Sequence, residues 1–220
     1  MFAEFASVAR ALGHPHRLEI LEHLAQGERG VEALSERIGL TVANTSQHLQ
    51  MLKRSGLVEA RRSGKFIHYR MADTAILGVT TGLQHIAERN IAQVDKIVRS
   101  YFNERDSLEP VSRAELLARS QNGEVTVLDV RPADEFTMGH VAGAISIPLK
   151  ELEARLAQLD PAKEIIAYCR GAYCVLSFEA VALLRKRGFR AKRLEDGFPE
   201  WKAAGFSTDE ANRGSLPITN

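Results

Sequence analysis

The sequence predicts two domains: a mainly α N-terminal domain in which a helix-turn-helix is followed by a β-hairpin, and a C-terminal α/β domain with a mainly parallel sheet. Three observations carry that reading. At 220 residues the chain is long for one unit and comfortable for two. Up to residue 102, apolar residues recur at helical spacing around a single alternating hairpin. After the polar, proline-ended stretch 103–110, short apolar runs alternate with helical ones. Positive charge is also gathered in one place. From Thr41 to Arg70 the chain carries Lys53, Arg54, Arg61, Arg62, Lys65 and Arg70 against Glu59 alone, although its net charge is only +1. Such a local excess on a nearly neutral chain is the footprint of a phosphate-binding face.

Composition narrows the class of protein. A hydrophobic fraction of 45% with 26% charged residues is that of an ordinary globular chain, so neither half needs a metal or disulfides to fold. No stretch approaches the roughly 18 uncharged apolar residues of a membrane span. The start, MFAEFASVARALGHPHR, lacks the basic flank, apolar core and cleavage site of a secretory leader, so a cytoplasmic protein is expected. Both cysteines, Cys169 and Cys174, fall in the second half. Two cysteines in such a chain point to chemistry or sensing rather than to a disulfide framework.

Residues 2–12 and 16–26 read as two helices broken by Gly13-His14-Pro15, the proline suiting a first helical turn where its missing N–H costs nothing. Leu18, Ile20, Leu21 and Leu24 give the second helix an apolar face. Residues 31–38 form a short helix ended by Gly39. Thr41 is then placed to cap a helix over 42–55, which Gly56 stops. The alternating runs 57–61 and 66–71, separated by Ser63-Gly64-Lys65, read as a hairpin. From 73 to about 102, Ile76, Val79, Leu83, Ile86, Val94, Ile97 and Tyr101 make an apolar stripe longer than one small domain can cover.

The helix over 42–55 is the one placed to enter a major groove, so its outer side needs small side chains able to bond base edges. Asn44, Thr45, Ser46, Gln47, His48 and Gln50 supply them, with Thr41 at the helix start, while Val42, Leu49 and Leu52 are expected in the core. Lys53 and Arg54 close the helix where the phosphate backbone would pass. Arg61, Arg62 and Lys65 lie on the hairpin as a wing. The run ALSERIGLTVANTSQHLQMLKRSGLVEARRSGKFIHYRM resembles the ArsR/SmtB family of winged-helix repressors, and the likeness covers about the first 100 residues. It implies a winged helix-turn-helix that binds a double-stranded DNA operator. It also implies a homodimer packed through the first and last helices of the domain, which would explain the stripe after Asp73.

Members of that family often sense metals. The first half has no cysteine, which removes the thiolate type of site. Zinc sensors use Asp-x-His with His-x-x-Glu further along. Here His85 and Glu88 reproduce the second pair, but Asp73 is displaced by one residue and Thr74 stands where the first histidine belongs. Half a site falls short of the three or four ligands that zinc takes. His85 and Glu88 therefore read as helix-surface residues, and His14, His16 and His23 as surface or packing residues. No metal and no cofactor is expected.

In the second half, 125–128, 144–147, 164–168 and 191–194 read as buried strands, and 113–120, 133–138, 150–159, 175–187 and 198–204 as helices. Cys169 follows a strand directly and precedes a helix beginning at about Cys174. Loop N–H groups and the positive end of a helix dipole stabilise a thiolate there, and Arg170 adds a full charge. With Gly171 and Arg170 beside it, Cys169 is expected to be accessible and reactive.

The segments LDVRPADEFTMGHVAGAISIP, YCRGAYC and GFRAKRLEDGFPEWKAAG, within 111–206, resemble a single rhodanese domain. The resemblance implies that Cys169 accepts sulfur as a persulfide, cradled by Arg170, Gly171, Ala172, Tyr173 and Cys174, with Asp129 and Arg131 nearby. Phosphatases and arsenate reductases of the related type need Cys-x5-Arg, and Val175 stands at the arginine position. Cys174 either bridges to Cys169 or is simply a small residue starting a helix.

The expected organisation is a DNA-binding and dimerisation domain over 1–104, a linker over 105–110, a rhodanese-like domain over 111–208 and a loose tail over 209–220. Two functions fit. One is a transcriptional regulator whose second domain senses or processes a small sulfur-containing substrate or effector. The other is a sulfurtransferase whose winged helix only dimerises or localises it.

Overall fold

In the computed structural model, which describes residues 1–91, 110–172 and 174–210, helices begin where the sequence offers caps. The chain divides into two units, Met1–Ile86 and Ala87–Asn220. In the first, α1 (Phe2–Leu12) is followed by α2 (Pro15–Ala25), with Pro15 in its first turn and the His14 ring accepting from the His16 N–H. A two-residue strand β1 (Arg29–Gly30) leads into α3 (Val31–Ile38), which Gly39 ends in a left-handed conformation. The Thr41 hydroxyl accepts from the Asn44 N–H at 3.2 Å and starts α4 (Val42–Arg54). Strands β2 (Val58–Ser63) and β3 (Phe66–Met71) pair antiparallel with Ser63 opposite Phe66. Gly64, at φ 62°, supplies the positive dihedral that this two-residue turn requires. Helix α5 (Ala75–Asn90) follows. Val94, Ile97, Tyr101 and the stretch 103–109 lie outside the described residues, as does the Glu88 side chain.

The core of this unit gathers Ile20, Leu21, Leu24, Leu34, Leu49, Leu52 and Tyr69. Each such side chain, once removed from water, contributes about 1.5–3 kcal/mol. Val42 does not join them. It is 45% exposed, because the buried seam of α4 starts one turn later, at Thr45. The pairing of β1 with β3 was not legible in the sequence, since two residues carry no periodicity.

The second unit places α6 (Arg113–Gln121), β4 (Val125–Asp129), α7 (Ala133–Met138), β5 (His140–Val141), β6 (Ile145–Ser146) and α8 (Leu149–Leu152) before the central strand β7 (Glu164–Tyr168). Then come α9 (Val175–Lys186), β8 (Ala191–Arg193), α10 (Phe198–Ala203) and β9 (Thr208–Asp209). The main sheet has the order β6-β4-β7-β8 and every pairing in it is parallel. Alternation along the strands builds two cores. Ile165 and Ala167 pack with Leu152, Val181 and Leu184, whereas Ile166 and Tyr168 pack with Leu116, Phe198 and Trp201.

Three local expectations change. The helix expected over 150–159 breaks after Leu152 into a 3₁₀ segment, Glu153–Gln158, none of whose residues is buried to hold a longer helix on the sheet. The strand expected over 144–147 shrinks to an edge strand that pairs only with Leu128 and Asp129. The polar stretch after Ser207 begins as β9, antiparallel to β5, and the Trp201 indole N–H donates to the Ser207 carbonyl at 3.0 Å.

Candidate functional site

In the first unit, α4 offers Asn44, Gln47 and Gln50 as exposed polar side chains, with Lys53 and Arg54 exposed at its end. Ser46 and His48 are half-buried. Thr45, expected among the base-reading residues, is 0% exposed, and its hydroxyl donates to the Thr41 carbonyl at 3.0 Å. Thr41 is exposed, but its hydroxyl is occupied as the helix cap. Val42, Ala43 and Met51, not singled out in the sequence as surface residues, are exposed on α4. His48 turns toward the start of α2, its ring centroid 4.5 Å from His14 and 5.9 Å from His16. Burial, then the charges of His14, Arg17 and His16, hold its pKa below the ordinary value.

On the wing, Lys65 and Arg62 are exposed, and the Arg62 Nε–H donates to the Gly64 carbonyl at 3.1 Å, bracing the turn. Arg61 differs from expectation. Its exposed guanidinium pairs with Glu28 through contacts of 2.6 and 3.3 Å, so it is not a free cation on the wing. Phe66 and Ile67 at the wing tip are exposed, and Lys65 Nζ lies 5.3 Å from the Phe66 ring centre. Phe2, Phe5 and Val8 of α1 and Val79 and Leu83 of α5 are also exposed.

In the second unit the loop after β7 holds Cys169 at the head of α9. The expectation of accessibility fails: Cys169 is 1% exposed. Its Sγ lies 3.4 Å from the Cys174 carbonyl oxygen, 3.8 Å from the Gly171 carbonyl oxygen and 3.3 Å from the Ser177 hydroxyl. Burial pushes the Cys169 thiol well up from its ordinary value, and its interaction with Cys174 pushes it the same way, against smaller opposing contributions from Ser177 and the Gly171 backbone. Cys174 is less buried and moves the other way. A hydrogen bond from the Cys169 thiol, reinforced by backbone groups of Arg170 and Leu176 and by the Arg170 charge, brings it down to about 7. The ionisation belongs to the pair, with the charge on Cys174 and the shared proton on Cys169. Both thiols are free.

Arg170 does not lie over the sulfur as an open charge. It forms a two-pronged ion pair with the fully buried Glu135 of α7, at 2.7 and 3.0 Å. Gly171 and Ala172 are half-buried, and Tyr173 lies outside the described residues. Asp129 and Arg131 act one step back from the loop. They form a fully buried pair at 2.6 Å, and Arg131 also donates to the Gly139 carbonyl. The Tyr168 hydroxyl donates to Asp129 at 2.6 Å and accepts from the Val141 N–H, which fixes the residue just before Cys169. The other wall is Gly197. A Cβ there would lie 2.2 Å from the Arg170 carbonyl carbon, so only glycine lets α10 approach, and the Phe198 N–H then donates to the Cys169 carbonyl at 3.1 Å.

Sequence reasoning missed Glu135, Ser177, Gly197 and Glu200, whose carboxylate accepts from the Gly197 N–H and is raised in pKa by burial. Ser177 was within reach, three residues after Cys174 in one helical turn. Glu135 was not, since 35 positions separate it from Arg170.

Residues 14–60 match the arsR family of bacterial regulatory proteins, and residues 112–204 match the rhodanese-like domain. Across 207 residues the chain is 44% identical to the HTH-type transcriptional regulator Rv0324 of Mycobacterium tuberculosis, covering 94% of this chain and 91% of that protein. The chain belongs to the ArsR family of transcriptional regulators. In this regulator the winged helix-turn-helix is fused to a rhodanese domain. Two solved structures match its parts. One is the homodimeric winged helix-turn-helix fragment of Mb0332 from Mycobacterium bovis, 40% identical over 41% of this chain and 83% of that one, TM-score 0.39. The other is a rhodanese-related protein of Thermoplasma volcanium, 28% identical over 46% of this chain and 98% of that one, TM-score 0.42.

Among the described residues, no group of three or more His, Cys, Asp and Glu side chains is arranged to hold a metal ion. No described helix is long and apolar enough to cross a membrane.

Proposed function

We propose that this regulator binds its operator as a homodimer and that sulfur carried by Cys169 sets its affinity. Asn44, Gln47 and Gln50 read base edges, and Val42 and Ala43 are placed to meet thymine methyl groups. Lys53, Arg54, Arg62 and Lys65 contact phosphate, and Arg61 joins them where it can leave Glu28. The exposed apolar side chains of α1 and α5 suit a twofold partner. The observation that carries the sulfur reading is the pair of thiols in one loop: both cysteines of the chain meet there, with one ionisation near neutral pH, while the DNA-reading unit has no thiol. Cys169 attacks the outer sulfur of a sulfane donor, such as a polysulfide or thiosulfate, gives up its thiol proton to the departing fragment and keeps that sulfur as a persulfide.

Operator affinity measured before and after polysulfide treatment, in wild type and Cys169→Ser, tests this. A shift confined to the wild type is expected. Typical couplings between sites are about 1–3 kcal/mol, or five- to 150-fold. Equal affinities in every arm would leave an uncoupled sulfurtransferase attached to a DNA-binding unit.

A further inference from the structure

Cys174 packs against the same cluster as Cys169, in a loop folded back by the Cys174 N–H donating to the Gly171 carbonyl at 3.1 Å. Ser177 ties the arrangement together. Its hydroxyl lies 3.3 Å from Cys169 Sγ and donates to the Cys174 carbonyl at 3.3 Å. Cys169 Sγ lies 3.4 Å from the Cys174 carbonyl oxygen, so the two cysteines adjoin, and of the two Cys174 is the less buried. A loop that only had to store a persulfide on Cys169 would need no second sulfur there, and a small residue opening a helix would serve as well as a thiol.

From this juxtaposition we infer that Cys174 resolves the persulfide of Cys169, so that the loop reduces sulfane sulfur to sulfide and closes as a Cys169–Cys174 disulfide. The inference rests on Cys169 as the sulfur acceptor and adds the fate of that sulfur. In the first step Cys169 Sγ bonds to the outer sulfur of a hydropolysulfide, the donor S–S bond breaks, and the donor leaves one sulfur shorter, carrying the Cys169 proton. In the second, the Cys174 thiolate attacks Cys169 Sγ. A Cys174–Cys169 bond forms, the bond from Cys169 to the transferred sulfur breaks, and that sulfur departs as hydrosulfide. The sulfane sulfur gains two electrons and the two thiols lose them, so no further oxidant is needed. The turn of the loop is what makes the second step local: both cysteines pack in one cluster, and the Cys174 pKa of about 7 keeps its thiolate populated at neutral pH. The regulator would thus register sulfane sulfur as a disulfide, which outlasts removal of the donor until a cellular dithiol reduces it.

The experiment treats the reduced, full-length protein anaerobically with one equivalent of inorganic polysulfide and follows released sulfide and intact mass. Wild type should release about one sulfide per chain beyond a protein-free control and become lighter by two hydrogens, still migrating as a single chain without reductant. Cys174→Ser and Cys174→Ala should instead become heavier by one sulfur atom and hold it. A wild type that also keeps the extra sulfur, with loading lost in Cys169→Ser, would overturn the resolving role while leaving Cys169 as acceptor. Loading retained in Cys169→Ser would instead overturn the acceptor assignment and the present inference with it.

Discussion

Arg170 and Glu135 show how much one contact decides about the sulfur loop. In the sequence Arg170 reads as a free cation beside a nucleophile, but in the fold its charge is matched by a carboxylate with no exposed surface. Removing one partner of such a buried pair typically costs about 3–5 kcal/mol. Arg170→Ala should therefore lower the stability of the rhodanese unit by about that much, read as a reduced midpoint in thermal or denaturant melts. An unchanged midpoint would show that solvent reaches Glu135. Gly197 is the second sensitive residue. Gly197→Ala forces a methyl group into the Arg170 backbone, and overpacking of this kind costs about 1–3 kcal/mol. Sulfur loading of Cys169 should slow in that variant while the winged-helix unit melts as before.

At the scale of elements, α4 and the wing should separate by function. On the proposed reading, alanine at Asn44 or Gln47 should erode discrimination at one or two operator positions, by about 1–3 kcal/mol each. Alanine at Arg62 and Lys65 should weaken binding to all sequences alike and reduce the salt slope by about 0.9 for each phosphate no longer neutralised. A sequence-dependent loss in the wing variant would reverse that assignment. The packing of α2 against α4 carries a pH dependence. His48 sits against His14, His16 and Arg17, and its folded-state pKa lies below the ordinary value of 6.5. The unfolded chain therefore takes up the proton first. Stability from this packing is full above pH 6.5 and falls away as the pH drops below it. Melts of the winged-helix unit from about pH 8 to about pH 5 should show a decline that His48→Asn flattens.

For the whole molecule the decisive surface is the apolar one on α1 and α5. Phe5 is 61% exposed and Leu83 42%. Burying each of them in a dimer would contribute about 1.5–3 kcal/mol. The double variant Phe5→Ser with Leu83→Ser should therefore raise the dimer dissociation constant by roughly a hundredfold or more, measured by sedimentation. Operator affinity should fall with it, because two half-sites about one helical turn apart need two reading helices. A dimer unaffected by the pair of substitutions would place the interface elsewhere.

The amino-acid order by itself determined what depends on local periodicity and short-range chemistry. Thr41 caps α4 because a hydroxyl at a helix start lies within reach of the N–H three residues on. Gly64 turns the hairpin, and alternation in 164–168 places a two-faced strand immediately before Cys169. Family resemblance was equally local, being carried by contiguous runs. Tertiary structure alone decided which surfaces survive folding. Thr45 and Val42 exchanged places because the depth of the seam on α4 is set by α2 and α3, not by the helix's own pattern. Arg61 pairs with Glu28, and Arg170 with Glu135, across separations of 33 and 35 residues that no window along the chain can pair. The same holds for the thiols. A helix dipole and a neighbouring arginine predict a reactive, lowered Cys169. Burial and the neighbouring Cys174 raise it instead and leave the charge on Cys174, because desolvation is a property of the packed loop rather than of its sequence.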